Sequence, residues 1–218
     1  MRESTAARRG RAEAIVRTLG SFYPDARIEL HYTTPWELLV AVVLSAQCTD
    51  RRVNLITPAL FARYPTVGDY AALKPSALYP LVRTCGLYRN KAKSIVGAAR
   101  AIVERHHGMV PTRRADLREL PGVGAKSAGV ITLHISGGEP AFPVDTHVAR
   151  LARRMGLSRA FIPERIEGDL QRLLPVVAWG QAHQLLVWHG RRICKARTPH
   201  CGGCPVRDLC PKIGVSGS

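Results

Sequence analysis

The sequence predicts an all-α fold, and three observations carry the prediction. No run in it alternates apolar and polar residues with a sustained period of two, as a half-buried strand would. Several stretches instead place apolar residues at helical spacing, most cleanly Ala92, Ile95, Val96, Ala99, Ile102 and Val103. Helix start and stop residues punctuate these stretches at intervals suited to short helices.

Taken in order, residues 1–10 read as a mobile basic arm, and residues 12–23 as a first helix. Thr34-Pro35-Trp36-Glu37 has the spacing of a capping box and opens a helix through Gln47 that is apolar nearly all round. Such a helix belongs at the centre of a domain. Cys48-Thr49-Asp50 breaks it, and Asp50 is expected to cap the next helix, which carries Val53, Ile56, Leu60 and Phe61 on one face. Short helices follow over residues 67–73 and 76–84, ended by Cys85-Gly86. A long amphipathic helix over residues 90–107 stops at Gly108. A pair of helices then occupies residues 114–136, with Pro121-Gly122-Val123-Gly124 as the turn between them. Gly137-Gly138-Glu139-Pro140 marks a boundary between structural units, and further helices are expected over residues 145–155, 163–174 and 177–193. No internal repeat or low-complexity segment interrupts this order.

The Pro-Gly-x-Gly turn makes residues 114–136 a helix-hairpin-helix. Gly122 and Gly124 are expected to take backbone angles that a Cβ would resist, and to leave amide N–H groups uncovered at the start of the second helix. A cluster of such donors suits a phosphate oxygen. Lys126 is out of place here, because a cation in the first turn opposes the helix dipole. The same field favours the neutral amine, which is a nucleophile. The plainer reading is an exposed lysine touching phosphate, and the motif alone leaves both open.

Composition narrows the partner. The chain has 218 residues with 32 Lys+Arg against 16 Asp+Glu, a net charge of +16 and a pI near 10.4. Such an excess fits a polyanion. The longest apolar run, residues 38–46, is too short to span a bilayer, and the N-terminus has no apolar segment of the secretory type. A cytoplasmic protein, nucleoid-associated if bacterial, whose acidic partner is nucleic acid and not a membrane, is the expectation.

Of the six cysteines, Cys48 and Cys85 stand apart and read as small buried apolar residues. The other four form Cys194-x6-Cys201-x2-Cys204-x5-Cys210. Thiolates at that density repel and oxidise unless a soft metal centre neutralises them. Zinc and iron–sulfur both accept four cysteines. The wide first gap suits a cubane better than a single ion, and Lys195, Arg197, Arg207 and Lys212 give the loop a basic rim.

Five motifs in order now make a family visible: residues 44–50 (Leu-Ser-Ala-Gln-Cys-Thr-Asp), residues 86–92 (Gly-Leu-Tyr-Arg-Asn-Lys-Ala), Leu120-Pro121-Gly122-Val123-Gly124 with Lys126, Val144-Asp145-Thr146-His147, and the four-cysteine loop. Over residues 12–211 the chain resembles the endonuclease III family, DNA glycosylases with AP-lyase activity in the helix-hairpin-helix superfamily. The resemblance implies two helical lobes with a DNA-binding groove between them. One is a six-helix domain with the hairpin, residues 28–136; the other joins residues 1–27 to residues 137–218 and carries a [4Fe-4S] cluster on Cys194, Cys201, Cys204 and Cys210.

It also implies base excision repair of oxidised pyrimidines of the thymine glycol type, acting as a monomer on double-stranded DNA with damaged bases or abasic sites. Cleaving an N-glycosidic bond develops positive charge on the sugar, which the Asp145 carboxylate is placed to stabilise. Asp145 is equally expected to cap the helix that follows it. Lys126 matches the nucleophile that attacks C1′ and forms a Schiff base, after which β-elimination releases the 3′ phosphate. A glycosylase extrudes its target nucleotide, and Gln47 and Leu87 match the side chains that fill the gap and meet the orphaned base. Gly122, Val123 and Gly124 match the phosphate-binding turn, and His147 a pocket residue. Lys91 reads as a contact to phosphate or solvent. Ser127 and Gly129 depart from the Thr and Asn frequent in the family, which loosens the second hairpin helix but leaves Lys126 in place.

Two other readings compete. A monofunctional mispair glycosylase of the same superfamily lacks a lysine at the position of Lys126, and the adenine-specific kind has Glu in the first motif. A non-catalytic iron–sulfur DNA-binding module has no use for Asp145 beside a phosphate.

Overall fold

Residues 36 to 44 contain only one charge, and a helix with so little polar surface is stable only when surrounded. In the computed structural model, which describes residues 3–215, Leu38 through Leu44 are buried without a break. The helices in chain order are α1 (Thr5–Phe22), α2 (Pro35–Ser45), α3 (Asp50–Arg63), α4 (Val67–Ala72), α5 (Tyr79–Val82), α6 (Tyr88–His106), α7 (Arg114–Arg118), α8 (Ala125–His134), α9 (Thr146–Arg154), α10 (Pro163–Leu173) and α11 (Trp179–Arg192). Turns of 3₁₀ helix over Pro75–Leu78 and Val176–Ala178 precede α5 and α11. The fold is all-α, with no strand among the described residues. Among them, too, no helix is long and apolar enough to cross a membrane.

The chain divides into two compact units, Glu29–Glu139 and the remainder on either side of it. In the Glu29–Glu139 unit, α2 is the axis against which α3, α6 and α8 pack, while α6 also lies along α4. Thr34 caps α2 by accepting from the Glu37 N–H at 3.2 Å. The expected box is only half formed, because the Glu37 carboxylate reaches back to the Thr33 hydroxyl, at 2.7 Å, and the Thr33 N–H. Helix α2 ends at Ser45, two residues short of expectation, where the Ser45 hydroxyl bonds the Val42 carbonyl. The cap of α3 is Thr49, accepting from the Arg52 N–H, and Asp50 is the first helical residue instead. The shorter hydroxyl takes the cap, and the carboxylate sits where the helix dipole favours negative charge.

In the other unit, α1 packs on α10 and α11, and α9 on both of them. Ile15, Leu19, Phe142, Val148, Leu151, Ile166, Leu170 and Leu185 form its core, closed by Val206 from the cysteine loop. The expected mobile arm is helical from Thr5, with Ser4 as the cap; Met1 and Arg2 lie outside the described residues. Its order has a cause the periodicity of apolar residues does not register. The Arg11 guanidinium is spread over Glu3, the Met155 carbonyl (2.6 Å) and the Leu209 carbonyl (3.1 Å), and Arg9 reaches the Arg172 carbonyl. Charge-assisted bonds to backbone hold the first turns down.

Candidate active site and metal centre

The hairpin is short on its first side and bare on its second. Helix α7 ends at Arg118, Val123 N–H returns to the Leu120 carbonyl, and α8 begins at Ala125. The two glycines do different work. Gly122 takes φ +81° with no room for a Cβ, which would meet Ser94 of α6 at 2.5 Å. Gly124 does not take the expected special angles: φ is −84° and ψ 177°, an extended conformation open to any residue, and a Cβ there would face open space. What Gly124 provides is the absence of a side chain over the start of α8, whose first turn has no side-chain cap. Val123 presents no side chain to solvent, being buried, and its amide is already used.

Lys126 stands in that first turn, exposed, with no hydrogen-bond or ion-pair partner among the described residues. Asp145, on the other unit, is half-buried and fixed as the cap of α9, accepting from the Val148 N–H at 2.8 Å through Oδ1. The second oxygen of the carboxylate is left for other work. His147, two residues on in the first turn of α9, packs against Gly190, where a Cβ would come within 2.9 Å of it. Its Nδ1 lies 3.1 Å from an Arg150 nitrogen. A guanidinium only donates, so Nδ1 accepts and the imidazole is neutral with its proton on Nε2. Burial also lowers its pKa.

Gln47 and Leu87 are both exposed and both in the left-handed region, with φ of 54° and 47°. Neither is Gly, Asn or Asp, the residues that tolerate that region. Lys91 is the correction in this neighbourhood. It does not reach for phosphate or solvent: it is 5% exposed, and its Nζ donates to the Leu44 carbonyl at 2.9 Å and to the Cys85 carbonyl. Burial holds the Lys91 pKa below the usual lysine value. Cys85 is fully buried, as expected, with its thiol pushed up to about 11 by burial; Cys48, which bonds it, is only half-buried against the same expectation, and both lie in bends between helices. A lone lysine at the start of a helix gives no sequence signal of such a role.

Cys194, Cys201, Cys204 and Cys210 line one cavity together with Met155 and Ile193. The loop is set by turns at Cys204 N–H to the Cys201 carbonyl and Cys210 N–H to the Arg207 carbonyl. Two sulfur acceptors are met by donors, Arg154 Nη1 on Cys194 and the Lys212 N–H on Cys210, each at 3.4 Å, and His189 Nε2 lies 3.4 Å from the Cys204 sulfur. Burial raises the Cys204 and Cys210 pKa values, so these thiols become thiolates readily only with a metal to neutralise them. Among the described residues no three His, Cys, Asp or Glu side chains converge on a point that would hold one ion. Four soft donors spaced around a cavity, met by N–H groups, fit a cluster better than a single zinc.

Comparison with known proteins covers both regions of the chain. Residues 40–176 match the model for the HhH-GPD superfamily base excision DNA repair protein, and residues 194–210 the iron-sulfur binding domain of endonuclease III. Endonuclease III of Synechocystis sp. is 46% identical over 211 residues, 97% of this chain and 96% of that one. A trapped endonuclease III–DNA covalent intermediate superposes with a TM-score of 0.87 at 39% identity, covering 94% of this chain and 96% of that one. A non-covalent endonuclease III–DNA complex gives 0.88 at 39%, covering 94% and 95%. The cysteine loop is therefore the seat of a [4Fe-4S] cluster. With hairpin, capped aspartate and cysteine loop in one chain and these relatives along its length, the protein belongs to the endonuclease III family of base excision repair, the DNA glycosylase/AP lyases of the HhH-GPD superfamily.

Proposed function

We propose that this enzyme removes oxidised pyrimidines of the thymine glycol type from double-stranded DNA and cleaves the strand 3′ to the resulting abasic site, with Lys126 as nucleophile. The observation that carries the reading is a partnerless, exposed lysine in the first turn of a helix whose amides have no cap. That turn is built to receive a phosphate, and a strand held there presents its sugar to nearby nucleophiles.

The reaction begins with loss of the damaged base as the N-glycosidic bond breaks and positive charge grows on the sugar. Asp145 stabilises that charge with the oxygen not used in capping α9. The Lys126 amine bonds to C1′ and gives up a proton to the departing base; the C1′–O4′ bond of the sugar ring then breaks, O4′ takes a proton, and a Schiff base is left at C1′. Withdrawal of electrons toward the iminium acidifies C2′–H; loss of that proton expels the 3′ phosphate, and hydrolysis returns the free lysine. Gln47 and Leu87 occupy the space of the extruded nucleotide and face the orphaned base. Gly122, Gly124 and the amides after them bind the backbone, with Val123 holding the turn in place from beneath, and neutral His147 lines the pocket. Cys194, Cys201, Cys204 and Cys210 are the cluster ligands; the cluster, when bound, would cross-link the loop through its iron–sulfur bonds. The partner is DNA with damaged bases or abasic sites, met by a monomer in the cytoplasm, with no membrane involved. The two helical units, Glu29–Glu139 with the hairpin and seven α-helices in place of the expected six, and the iron–sulfur unit, act as the two lobes of the enzyme.

Borohydride reduction on a duplex containing thymine glycol tests this directly. The parent is expected to give a covalent adduct and Lys126→Ala none, while the variant still binds the duplex. An equal yield of adduct from Lys126→Ala would remove Lys126 from the chemistry.

A further inference from the structure

Within the Glu29–Glu139 unit, one buried ammonium joins two loops that are far apart in sequence. Lys91 rises from the first turn of α6, and its Nζ bonds the Leu44 carbonyl, near the end of α2, and the Cys85 carbonyl, just after α5. Three residues beyond Leu44 the chain turns left-handed at Gln47, and two residues beyond Cys85 it does so at Leu87. Both of those side chains point into solvent with no partner to fix them, and Leu87 is 58% exposed. A left-handed Gln or Leu costs on the order of 1 kcal/mol or more and persists only where its surroundings impose it.

We infer that Lys91 is a positioning residue, which sets Gln47 and Leu87 as one rigid pair by holding the carbonyls that precede them. The inference rests on the reading that these two side chains enter the duplex. A carbonyl near the end of a helix has lost its intrahelical partner, and without Lys91 the Leu44 and Cys85 carbonyls would be buried with no donor from this side chain. A lysine offers three N–H donors on a point charge, so one group can answer two acceptors from different directions. Charge-assisted bonds in a site closed to solvent are stronger and shorter than ordinary ones. Burial disfavours the ammonium, and the two carbonyls that accept from it are what answer it. The cost of burying a charge is accepted at one point, and the return is that neither exposed side chain has to be ordered when DNA arrives.

The test is a double-mutant cycle on a duplex with 2-aminopurine opposite thymine glycol, whose fluorescence rises on unstacking. Lys91→Met keeps the length and apolar stem of the side chain and removes the donors. It is expected to lower kcat for base release about 10- to 100-fold, with a smaller effect on KM, and to remove most of the fluorescence rise, while the helical melt and the visible absorbance of the cluster persist. In a Gln47→Ala/Leu87→Ala background the same change is expected to cost nothing further. An equal fold-loss in both backgrounds would overturn the positioning role. If instead Gln47→Ala/Leu87→Ala leaves the fluorescence rise intact, the duplex-entry reading itself fails. Should Lys91→Met not fold, Lys91→Gln, which retains an N–H donor, takes its place in the cycle under the same criteria.

Discussion

The role proposed for Asp145 gives one carboxylate two tasks, and they can be separated. Its Oδ1 caps α9 at Val148, and asparagine offers the same acceptor without the charge. Asp145→Asn is therefore expected to melt with the parent but to release base at least 100-fold more slowly, since the stabilised charge is lost. Asp145→Ala is expected to be equally slow and also less stable by about 1 kcal/mol, the usual worth of a cap. Thermal melts and single-turnover base release, measured on both variants, check the division. If Asp145→Asn releases base at the parental rate, the carboxylate is only a cap. His147 shows the opposite economy: its imidazole is neutral because Arg150 donates to Nδ1 and burial disfavours the charged ring, so in the pocket role proposed for it the ring would offer a hydrogen-bond donor and no charge.

At the scale of elements, the hairpin makes a prediction that turns on two glycines two residues apart. A Cβ on Gly122 would lie 2.5 Å from Ser94 at a φ of +81°, so Gly122→Ala is expected to destabilise the protein by about 2 kcal/mol or more from strain and clash together. A Cβ on Gly124 meets nothing. Gly124→Ala is expected to leave the melt within about 0.5 kcal/mol of the parent yet weaken DNA binding, because the methyl covers the amides at the head of α8. Melting curves and equilibrium titrations with an abasic-site duplex distinguish the two, and equal binding by Gly124→Ala and the parent would rule out phosphate at that turn. At the other end of α8, burial lowers His134 to about 4 from 6.5. The folded state thus refuses a proton that the unfolded chain accepts, so the contribution of His134 is complete above about pH 6.5 and is lost as pH falls toward 4. For a half-buried ring the loss is on the order of 1–2 kcal/mol. His134→Gln should flatten that part of the stability profile in denaturant melts at pH 7 and pH 4.5; an unchanged slope would assign the acid loss elsewhere. Helix content was legible in the sequence because α2 and α6 announce themselves by apolar spacing and the hairpin by Pro121 and Gly122. Caps and ends were less so: Thr49 and Asp50 are both good capping residues, and only the local geometry chooses between them. The order of the chain before Ala12 depends on Arg9 and Arg11 finding carbonyls at Arg172, Met155 and Leu209, and Lys91 finds its acceptor at Leu44. A basic side chain carries no mark in the sequence of the distant backbone it will satisfy.

At the scale of the whole molecule, charge decides how the enzyme meets its substrate without deciding how fast it reacts. A net charge of +16 from 32 Lys+Arg and 16 Asp+Glu makes counterion release from DNA a large part of binding. If roughly five to eight phosphates are neutralised, at about 0.9 counterion each, doubling the salt weakens binding roughly 20- to 150-fold. The groups proposed for the chemistry act at contact distance, where salt screens little. KM for a thymine glycol duplex is therefore expected to climb steeply with ionic strength, while the single-turnover rate at saturating enzyme changes by less than about twofold. A series from low to physiological salt, measuring both quantities on the same preparation, checks the separation. A KM that barely moves would mean that the positive charge is spread over surfaces the duplex never touches; a saturating rate that falls with KM would mean that screened charges help to drive the bond-breaking step itself.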